Sequence, residues 1–239
     1  MTIQTRLIEY RDGDTLLEGF LAWDDSITGA RPAVAISHAW SGRQDFECDK
    51  AKKLAELGYA GFALDMFGKG VRGQNNEENS ALITPFLHDR AMLQKRINLA
   101  IAVLRQQPEV DPAKVGAMGF CFGGLCVLDL ARSGSDVKGV VSFHGLFNPP
   151  GNTAGTKISA SVLCLHGYDD PMAPPQSVLE LAAELSAVGA DWQLHAYGNT
   201  VHAFTNPDAQ DPGFGTVYDA TADRRSWIAM QNFFAEIFA

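Results

Sequence analysis

Short apolar runs alternate with longer segments of helical periodicity along most of the chain. Two β-prone runs, at 5–10 and 16–23, flank an Arg-Asp-Gly-Asp turn and predict an N-terminal antiparallel hairpin. Further buried strands are predicted at 33–37, 59–64, 114–119, 139–143, 161–166 and 192–197. Helices are predicted at 49–57, 85–107, 124–132, 175–188 and 220–238, and the acidic and amide run 74–79 is expected to be a solvated loop. Strands that alternate with crossover helices predict an α/β fold, with a mostly parallel central sheet and helices on both faces.

The composition is that of an ordinary globular protein. The 239 residues are 46% hydrophobic and 20% charged, and no repeat or linker divides them, so we expect a single domain over residues 1–239. A formal net charge of −9 disfavours nucleic acid as a partner. The N-terminal segment lacks the pattern of an export signal, and no apolar run reaches the ~18 residues of a membrane span. We therefore expect a cytoplasmic protein without a membrane partner, as a monomer or a homodimer.

The segment Gly-Phe-Cys-Phe-Gly-Gly at 119–124 joins a predicted strand to a predicted helix. A nucleophile elbow is found at such a junction, and side chains at Gly119 and Gly123 would clash in so sharp a turn. Cys121 then stands at a helix N-terminus, where the helix dipole favours a thiolate and the backbone N–H of Phe122 can face an oxyanion. The alternative interpretation is a glycine-rich turn around a buried, inert cysteine.

Two further segments supply partners for this cysteine. Asp169 and Asp170 follow the strand predicted at 161–166, and His202 lies in the loop after the last strand. Carboxylates at such a strand end share a sheet edge with the elbow. The chain order of nucleophile, acid and histidine is that of the triads on this architecture. We prefer Asp170 as the acid because the turn needs two residues after Gly167, but Asp169 stays an alternative.

The motifs at 119–124, at Gly167–Asp170 and at His202-Ala203-Phe204 resemble those of the dienelactone hydrolase family, a cysteine-nucleophile branch of the α/β-hydrolase superfamily. The resemblance extends from the strand at residue 33 to the final helix. It implies the α/β-hydrolase fold, with Cys121 as nucleophile, His202 as base and Asp170 as the group that orients the histidine. It also implies an oxyanion hole made by the backbone N–H groups of Trp40 and Phe122.

The chain departs from the family pattern around the expected substrate. Ala39 stands where the family carries a glutamate that hydrogen-bonds the resting thiol, with Glu47 and His38 as possible replacements. Lys69 and Asn206 stand where arginines bind a substrate carboxylate, so a chlorinated dienelactone is a doubtful substrate. The residues expected to line the substrate site, from loops and strand ends, are Trp40, Phe67, Lys69 and His144.

These observations predict a hydrolase that cleaves small ester, lactone or thioester bonds through a Cys-His-Asp triad and an acyl-enzyme intermediate. An acyltransferase with the same triad and a non-catalytic binding protein are the alternatives. Neither a metal nor a cofactor is expected, because the four cysteines lack zinc-like spacing and no glycine-rich nucleotide motif is present.

Overall fold

The structure is a computed structural model that describes every residue from Met1 to Ala239. Eight strands form one mixed, mostly parallel sheet in the order β1-β2-β4-β3-β5-β6-β7-β8, which confirms the predicted α/β fold. The residue contacts divide the chain into two compact units, Met1–Met118 and Gly119–Ala239. The assignment of residues 1–239 to a single domain stays a prediction.

The first unit begins with the predicted hairpin. Strands β1 (Ile3–Asp12) and β2 (Thr15–Asp24) pair antiparallel, and β2 also pairs antiparallel with β4 (Ala60–Ala63). Strand β3 (Arg31–Ser37) runs parallel to β4 and is almost wholly buried, as expected of a strand covered on both faces. Helix α1 (Asp45–Glu56) packs on β4 so closely that a Cβ atom on Gly61 would lie 2.4 Å from the carbonyl oxygen of Ala51.

The prediction of one helix at 85–107 and of a loop at 74–79 is wrong. The chain forms two helices, α2 (Asn76–His88) and α3 (Arg90–Arg105), separated by Asp89 in a non-helical conformation. The amide and acidic residues begin α2, because the Asn75 side chain accepts a hydrogen bond from the N–H of Glu78 at 2.9 Å. Pro85, where the predicted helix begins, lies inside α2, although proline is commonest at a helix start.

The second unit contains parallel strands and their crossover helices. Strand β5 (Val110–Phe120) lies mostly in the first unit, and its last residues, Gly119 and Phe120, belong to the second. It leads into helix α4 (Phe122–Arg132), and strands β6 (Gly139–Phe143), β7 (Ser161–Gly167) and β8 (Trp192–Tyr197) follow in parallel register. Helix α5 (Pro175–Ala187) precedes β8, and α6 (Ala220–Ile237) packs on β6 and β7. The remaining element, a two-stranded hairpin of β9 (Gln210–Asp211) and β10 (Thr216–Val217), is not among the predicted elements.

Candidate active site

Cys121 lies on a sharp turn between β5 and α4, with φ 55° and ψ −115°. Such a conformation is strained for a residue with a side chain and is found most often at functional sites. Two glycines allow it. A Cβ atom on Gly119 would lie 2.1 Å from the carbonyl oxygen of Gly123, and one on Gly124 would lie 2.7 Å from the Cα atom of Gly145. The predicted steric role therefore holds for Gly119, and Gly124 has a second role that the motif alone does not reveal.

Cys121 is also the N-cap residue of α4. Its carbonyl oxygen accepts hydrogen bonds from the N–H groups of Gly124 and Leu125, at 2.9 and 3.2 Å, which closes the first turn. Phe122 is the first residue inside the helix, and the backbone N–H groups of a first helical turn point out of the helix end. The partly exposed thiol thus stands at the positive end of a helix dipole, where negative charge is stabilised.

His202 is buried next to a carboxylate. Its Nδ1 atom lies 2.7 Å from Oδ2 of Asp170, and Oδ1 of Asp170 accepts the backbone N–H of Met172 at 2.8 Å. Both side chains are almost completely buried, whereas Asp169 is exposed to solvent. The structure therefore brings Asp170, and not Asp169, into contact with the histidine.

The charge state of His202 follows from its neighbours. Burial by itself lowers the pKa of the imidazole, but the negative charges of Cys121 and Asp170 and the hydrogen bond with Asp170 outweigh burial and raise the pKa to about 10. Nε2 is buried and makes no hydrogen bond of ordinary geometry, so Cys121 influences the pKa of the ring through its charge and not through a hydrogen bond. Cys121, His202 and Asp170 can hold an imidazolium between two anionic groups.

The β9–β10 hairpin fixes the loop that carries His202. The N–H of His202 donates to the carbonyl oxygen of Gly215 at 3.0 Å, and its own carbonyl oxygen accepts the N–H of Val217 at 3.2 Å. Gly215 has φ 79°, and a Cβ atom there would lie 2.3 Å from Cγ of Pro171 in the turn after Asp170. Strands of two residues carry no readable pattern, so the glycine between aromatic and β-branched residues is the only sequence signal of this support.

In the first unit, Trp40 lies in a loop whose preceding residues, His38 and Ala39, are held by hydrogen bonds. His38 donates from Nδ1 to the carbonyl oxygen of Ala39 at 2.6 Å and accepts the N–H of Met66 at Nε2, at 3.1 Å. The N–H of Ala39 donates to Oε1 of Glu47 at 3.4 Å. His38 and Glu47 thus support the loop that carries Trp40, and the role of Trp40 in an oxyanion hole stays a prediction.

Burial is the main cause of the pKa shifts of His38 and Glu47. It lowers the pKa of His38, and it raises the pKa of Glu47 to about 7 even though the backbone N–H groups of Gln44 and Ala39 bind the carboxylate. That His38 or Glu47 takes the place of the family's glutamate, where this chain has Ala39, stays a prediction.

The remaining residues predicted to bind substrate have partners of their own. Lys69 forms ion pairs with Glu9 and with Glu18, the latter at 3.3 Å, although its ammonium group is partly exposed. Phe67 packs against the edge of His38, with ring centroids 4.6 Å apart. His144 is 2% exposed and contacts protein atoms through both ring nitrogens. These contacts weigh against direct binding of substrate by Lys69 or His144, and all three assignments stay predictions.

No helix is both long and apolar enough to cross a membrane, and no group of three or more His, Cys, Asp or Glu side chains is arranged to hold a metal ion. All four cysteines are free thiols.

Comparisons with known proteins show the family to which the chain belongs. The model of the dienelactone hydrolase family matches residues 17–238. The chain is similar to a "Putative carboxymethylenebutenolidase" of Aquifex aeolicus (strain VF5), with 26% identity over 237 residues that cover 96% of this chain and 97% of that protein. It superimposes on the crystal structure of a dienelactone hydrolase-like promiscuous phosphotriesterase from metagenomic libraries, with a TM-score of 0.94, 40% identity and full coverage of both chains. A structure named m3DLH gives a TM-score of 0.95 at 36% identity, again with full coverage.

The match over nearly all of the chain confirms the resemblance in the sequence motifs and the prediction that the chain is an enzyme. The chain belongs to the dienelactone hydrolase family and is a hydrolase of ester or lactone bonds.

Proposed function

We propose that this protein hydrolyses small ester, lactone or thioester bonds through a Cys121–His202–Asp170 triad and an acyl-enzyme on Cys121. The observation that carries the proposal is the position of His202, whose Nδ1 atom contacts Asp170 at 2.7 Å while Cys121 acts on the ring and raises its pKa. A nucleophile next to a base, with the base oriented by a third group, is the arrangement that covalent catalysis requires.

The acylation step uses the resting ion pair. The Cys121 thiolate forms a bond to the carbonyl carbon, and the carbonyl electron pair moves onto oxygen, where the N–H of Phe122 stabilises the negative charge. The tetrahedral intermediate then collapses and breaks the bond to the leaving group. His202 donates the proton from Nε2 to that group, which departs as an alcohol or a thiol, or stays tethered in the case of a lactone.

Deacylation uses the same residues in the opposite roles: His202 acts as the base and Cys121 is the leaving group. Neutral His202 removes a proton from water at Nε2, and the hydroxide oxygen attacks the thioester carbon. The Cys121 thiolate leaves and the carboxylic acid is released, so that the ion pair with His202 is restored. Asp170 keeps the Nδ1 proton in place throughout, which holds the ring in the tautomer that presents Nε2 to the reaction.

Neutral substrates fit the charges better than anionic ones. Lys69 is already paired with Glu9 and Glu18, and the Oδ1 atom of Asn206 accepts the N–H of Asp208 at 3.0 Å. Neither residue offers an unpaired cation to a substrate carboxylate. We therefore expect turnover of small neutral esters, with little gain from a carboxylate on the substrate.

The test is hydrolysis of p-nitrophenyl acetate by matched cysteine variants. Cys121→Ala should lose hydrolysis entirely, whereas Cys48→Ala should keep it, because burial raises the pKa of the Cys48 thiol and favours its protonated form. Activity of Cys121→Ala at the wild-type level would overturn the proposal. Addition of alcohols as acceptors during the same assay separates hydrolysis from acyl transfer, because an acyltransferase would form the new ester in preference to acetate.

A second activity is favoured by one comparison. The 40% identical structure with full coverage is described as that of a promiscuous phosphotriesterase. The same Cys121 thiolate could attack phosphorus and expel an aryl oxide, which leaves a phosphorylated cysteine for water to release. An aryl diethyl phosphate with a p-nitrophenolate leaving group tests this activity. Release of p-nitrophenolate by wild type and not by Cys121→Ala supports it, and equal release by both contradicts it.

A further inference from the structure

The His144 ring lies between the two loops that carry the proposed nucleophile and base. The backbone N–H of Cys121 donates to Nδ1 of His144 at 3.2 Å, and Nε2 of His144 lies 2.8 Å from Oγ1 of Thr205. Thr205 is three residues beyond His202 in the same loop and is 1% exposed. A single buried side chain therefore joins the nucleophile elbow to the histidine loop through two hydrogen bonds.

These contacts define the tautomer of His144. Because Nδ1 accepts the N–H of Cys121, it carries no proton in the neutral ring. The ring proton is then on Nε2, which donates to Oγ1 of Thr205. In this form both ring nitrogens are hydrogen-bonded within the protein and none is left for a substrate. His144 therefore supports the residues of the site and does not bind the substrate.

Backbone strain is concentrated at the ends of this connection. Cys121 has φ 55° and His144 has φ 38°, two of the four residues other than glycine with positive φ in the chain. Conformations of this kind are unfavourable for residues with a side chain and persist where the surroundings enforce them. The N–H of Cys121 is shared between Nδ1 of His144 and the carbonyl oxygen of Phe143, the latter at 3.0 Å. The His144 ring is therefore one of the two acceptors that hold the backbone at Cys121.

His144 also packs against the proposed base itself. Its ring meets the rings of His202 and Phe204 edge to face, each with centroids 5.1 Å apart. A side chain that contacts both His202 and the backbone of Cys121 can set the distance and angle between the thiol and the imidazole.

We infer that His144 and Thr205 form a positioning pair that aligns Cys121 with His202, in place of the substrate-binding role first expected of His144. The inference rests on the proposed triad, since alignment matters only if these two residues react together. His144 does not touch substrate on this view. Its contribution is the geometry of the ion pair.

Two substitutions at His144 separate its ring from its hydrogen bonds. His144→Phe keeps an aromatic ring and removes both nitrogens, and His144→Asn keeps a polar group able to accept the N–H of Cys121 and tolerates positive φ. We expect His144→Phe to lower kcat for p-nitrophenyl acetate by about 100-fold, the scale of a 1 Å misplacement of reacting groups, with KM nearly unchanged. His144→Asn should recover a large part of that loss.

Thr205 provides a second and milder pair of variants. Thr205→Val removes the hydroxyl at nearly constant volume and should lower kcat by about tenfold, the scale of one hydrogen bond. Thr205→Ser keeps the hydroxyl and should restore kcat. If the two residues act as a unit, the double variant His144→Phe/Thr205→Val should be no slower than His144→Phe alone.

The readout that a merely structural role would not move is the rate of iodoacetamide alkylation of Cys121 at pH 7, measured on folded protein. Misalignment should slow alkylation in His144→Phe and Thr205→Val, and Thr205→Ser should react like wild type. Unchanged alkylation and unchanged kcat in these variants, with only a lower melting temperature, would overturn the inference. The two Thr205 variants decide the question if His144→Phe does not fold.

Failure of the triad itself gives a different result. In that case Cys121→Ala keeps its activity, whatever the His144 variants do. If only the inference about His144 is wrong, Cys121→Ala is inactive and His144→Phe is as fast as wild type.

Discussion

Two buried histidines, His202 and His38, stand in loops that follow strands of the sheet, but their surroundings are opposite. His202 lies between the Asp170 carboxylate and the Cys121 thiol, and its pKa is raised to about 10. The ring nitrogens of His38 bond to the neutral backbone groups of Ala39 and Met66, and burial lowers its pKa. Burial lowers the pKa in both places, so the difference comes from the charges in contact with each ring.

The comparison shows where the fold keeps a charge and where it avoids one. In the second unit, opposite charges compensate the desolvation of His202. In the first unit, desolvation of Glu47 prevails over its hydrogen bonds and raises its pKa to about 7. The first arrangement suits proton transfer and the second suits a loop support.

Removal of the carboxylate that distinguishes His202 should have the largest effect. Asp170→Asn keeps the shape but loses the charge and the tautomer control, and the corresponding change in a serine protease costs about 10⁴-fold in kcat. We expect a loss of that order in kcat for p-nitrophenyl acetate. Asp169→Asn is the matched control, because Asp169 is exposed, and it should stay near the wild-type rate. The reverse ranking would move the acid of the triad by one residue.

Removal of the imidazole should change the reactivity of Cys121. With a His202 pKa of about 10, the ring is protonated at neutral pH, and its positive charge favours the deprotonated form of a neighbouring thiol. Alkylation by iodoacetamide should therefore be fast and nearly flat from pH 7 to 9, on the order of tenfold faster at pH 7 than in His202→Ala. The variant should instead speed up with pH as an ordinary thiol does, with a midpoint of about 8.5. Identical pH profiles for the two proteins would contradict the ion pair.

The pKa shifts of His202 and Glu47 also predict how the free energy of unfolding depends on pH. His202 has a folded pKa above the ordinary 6.5, so its contribution to the free energy of unfolding is fully present below about 6.5 and is lost as the pH rises towards about 10. Most paired carboxyl groups have a lowered pKa in the folded state, but the pKa of Glu47 is raised from 4.5 to about 7. The folded state therefore holds this proton more tightly than the unfolded state does. Ionisation of Glu47 should therefore destabilise the protein as the pH rises from about 4.5 through about 7.

Glu47→Gln tests this sign. The interval between 4.5 and about 7 corresponds to about 3 kcal/mol of stability lost by wild type, and the neutral amide should not show this loss. Urea unfolding of both proteins at pH 5 and pH 8 measures it, and the difference between the two pH values cancels effects common to both chains. A pH dependence that is the same in wild type and Glu47→Gln would show that Glu47 does not titrate in this range.

The smallest effect is expected at Lys69. Its exposed pairing with Glu9 and Glu18 leaves no unpaired charge for a substrate, so Lys69→Ala should change kcat/KM for neutral esters by about twofold or less. Carboxylate-bearing lactones should be no better substrates than neutral ones. A strong preference for such lactones that disappears in Lys69→Ala would show that this lysine binds substrate.

The sequence predicted the elements that have strong local signals. The apolar run 139–143 predicted β6 to the residue, the alternating run 192–197 predicted β8 to the residue, and the glycines at 119–124 predicted the elbow. The break at Asp89 was missed because an N-cap inside a long apolar periodicity looks like an ordinary polar position. The β9–β10 hairpin was missed because two-residue strands have no period.

The residues of the candidate site can likewise be separated into those that the sequence predicted and those that it did not. Chain order and turn chemistry were enough to place Asp170 at His202, but not to explain His144. The bonds of His144 to Cys121 and Thr205 join residues 23 and 61 positions away, and such pairings arise only when strands meet in the sheet. The partners of Lys69 lie 51 and 60 positions away for the same reason.

The central claim is that Cys121 carries the acyl group during turnover. Rapid acid quench of the wild-type enzyme with p-nitrophenyl acetate, followed by peptide mass spectrometry, measures this directly. The account predicts an initial burst of one p-nitrophenolate per active site and an acetyl group on the peptide that contains Cys121, with neither in Cys121→Ala. An acetyl group on a different residue, together with full activity of Cys121→Ala, would contradict it.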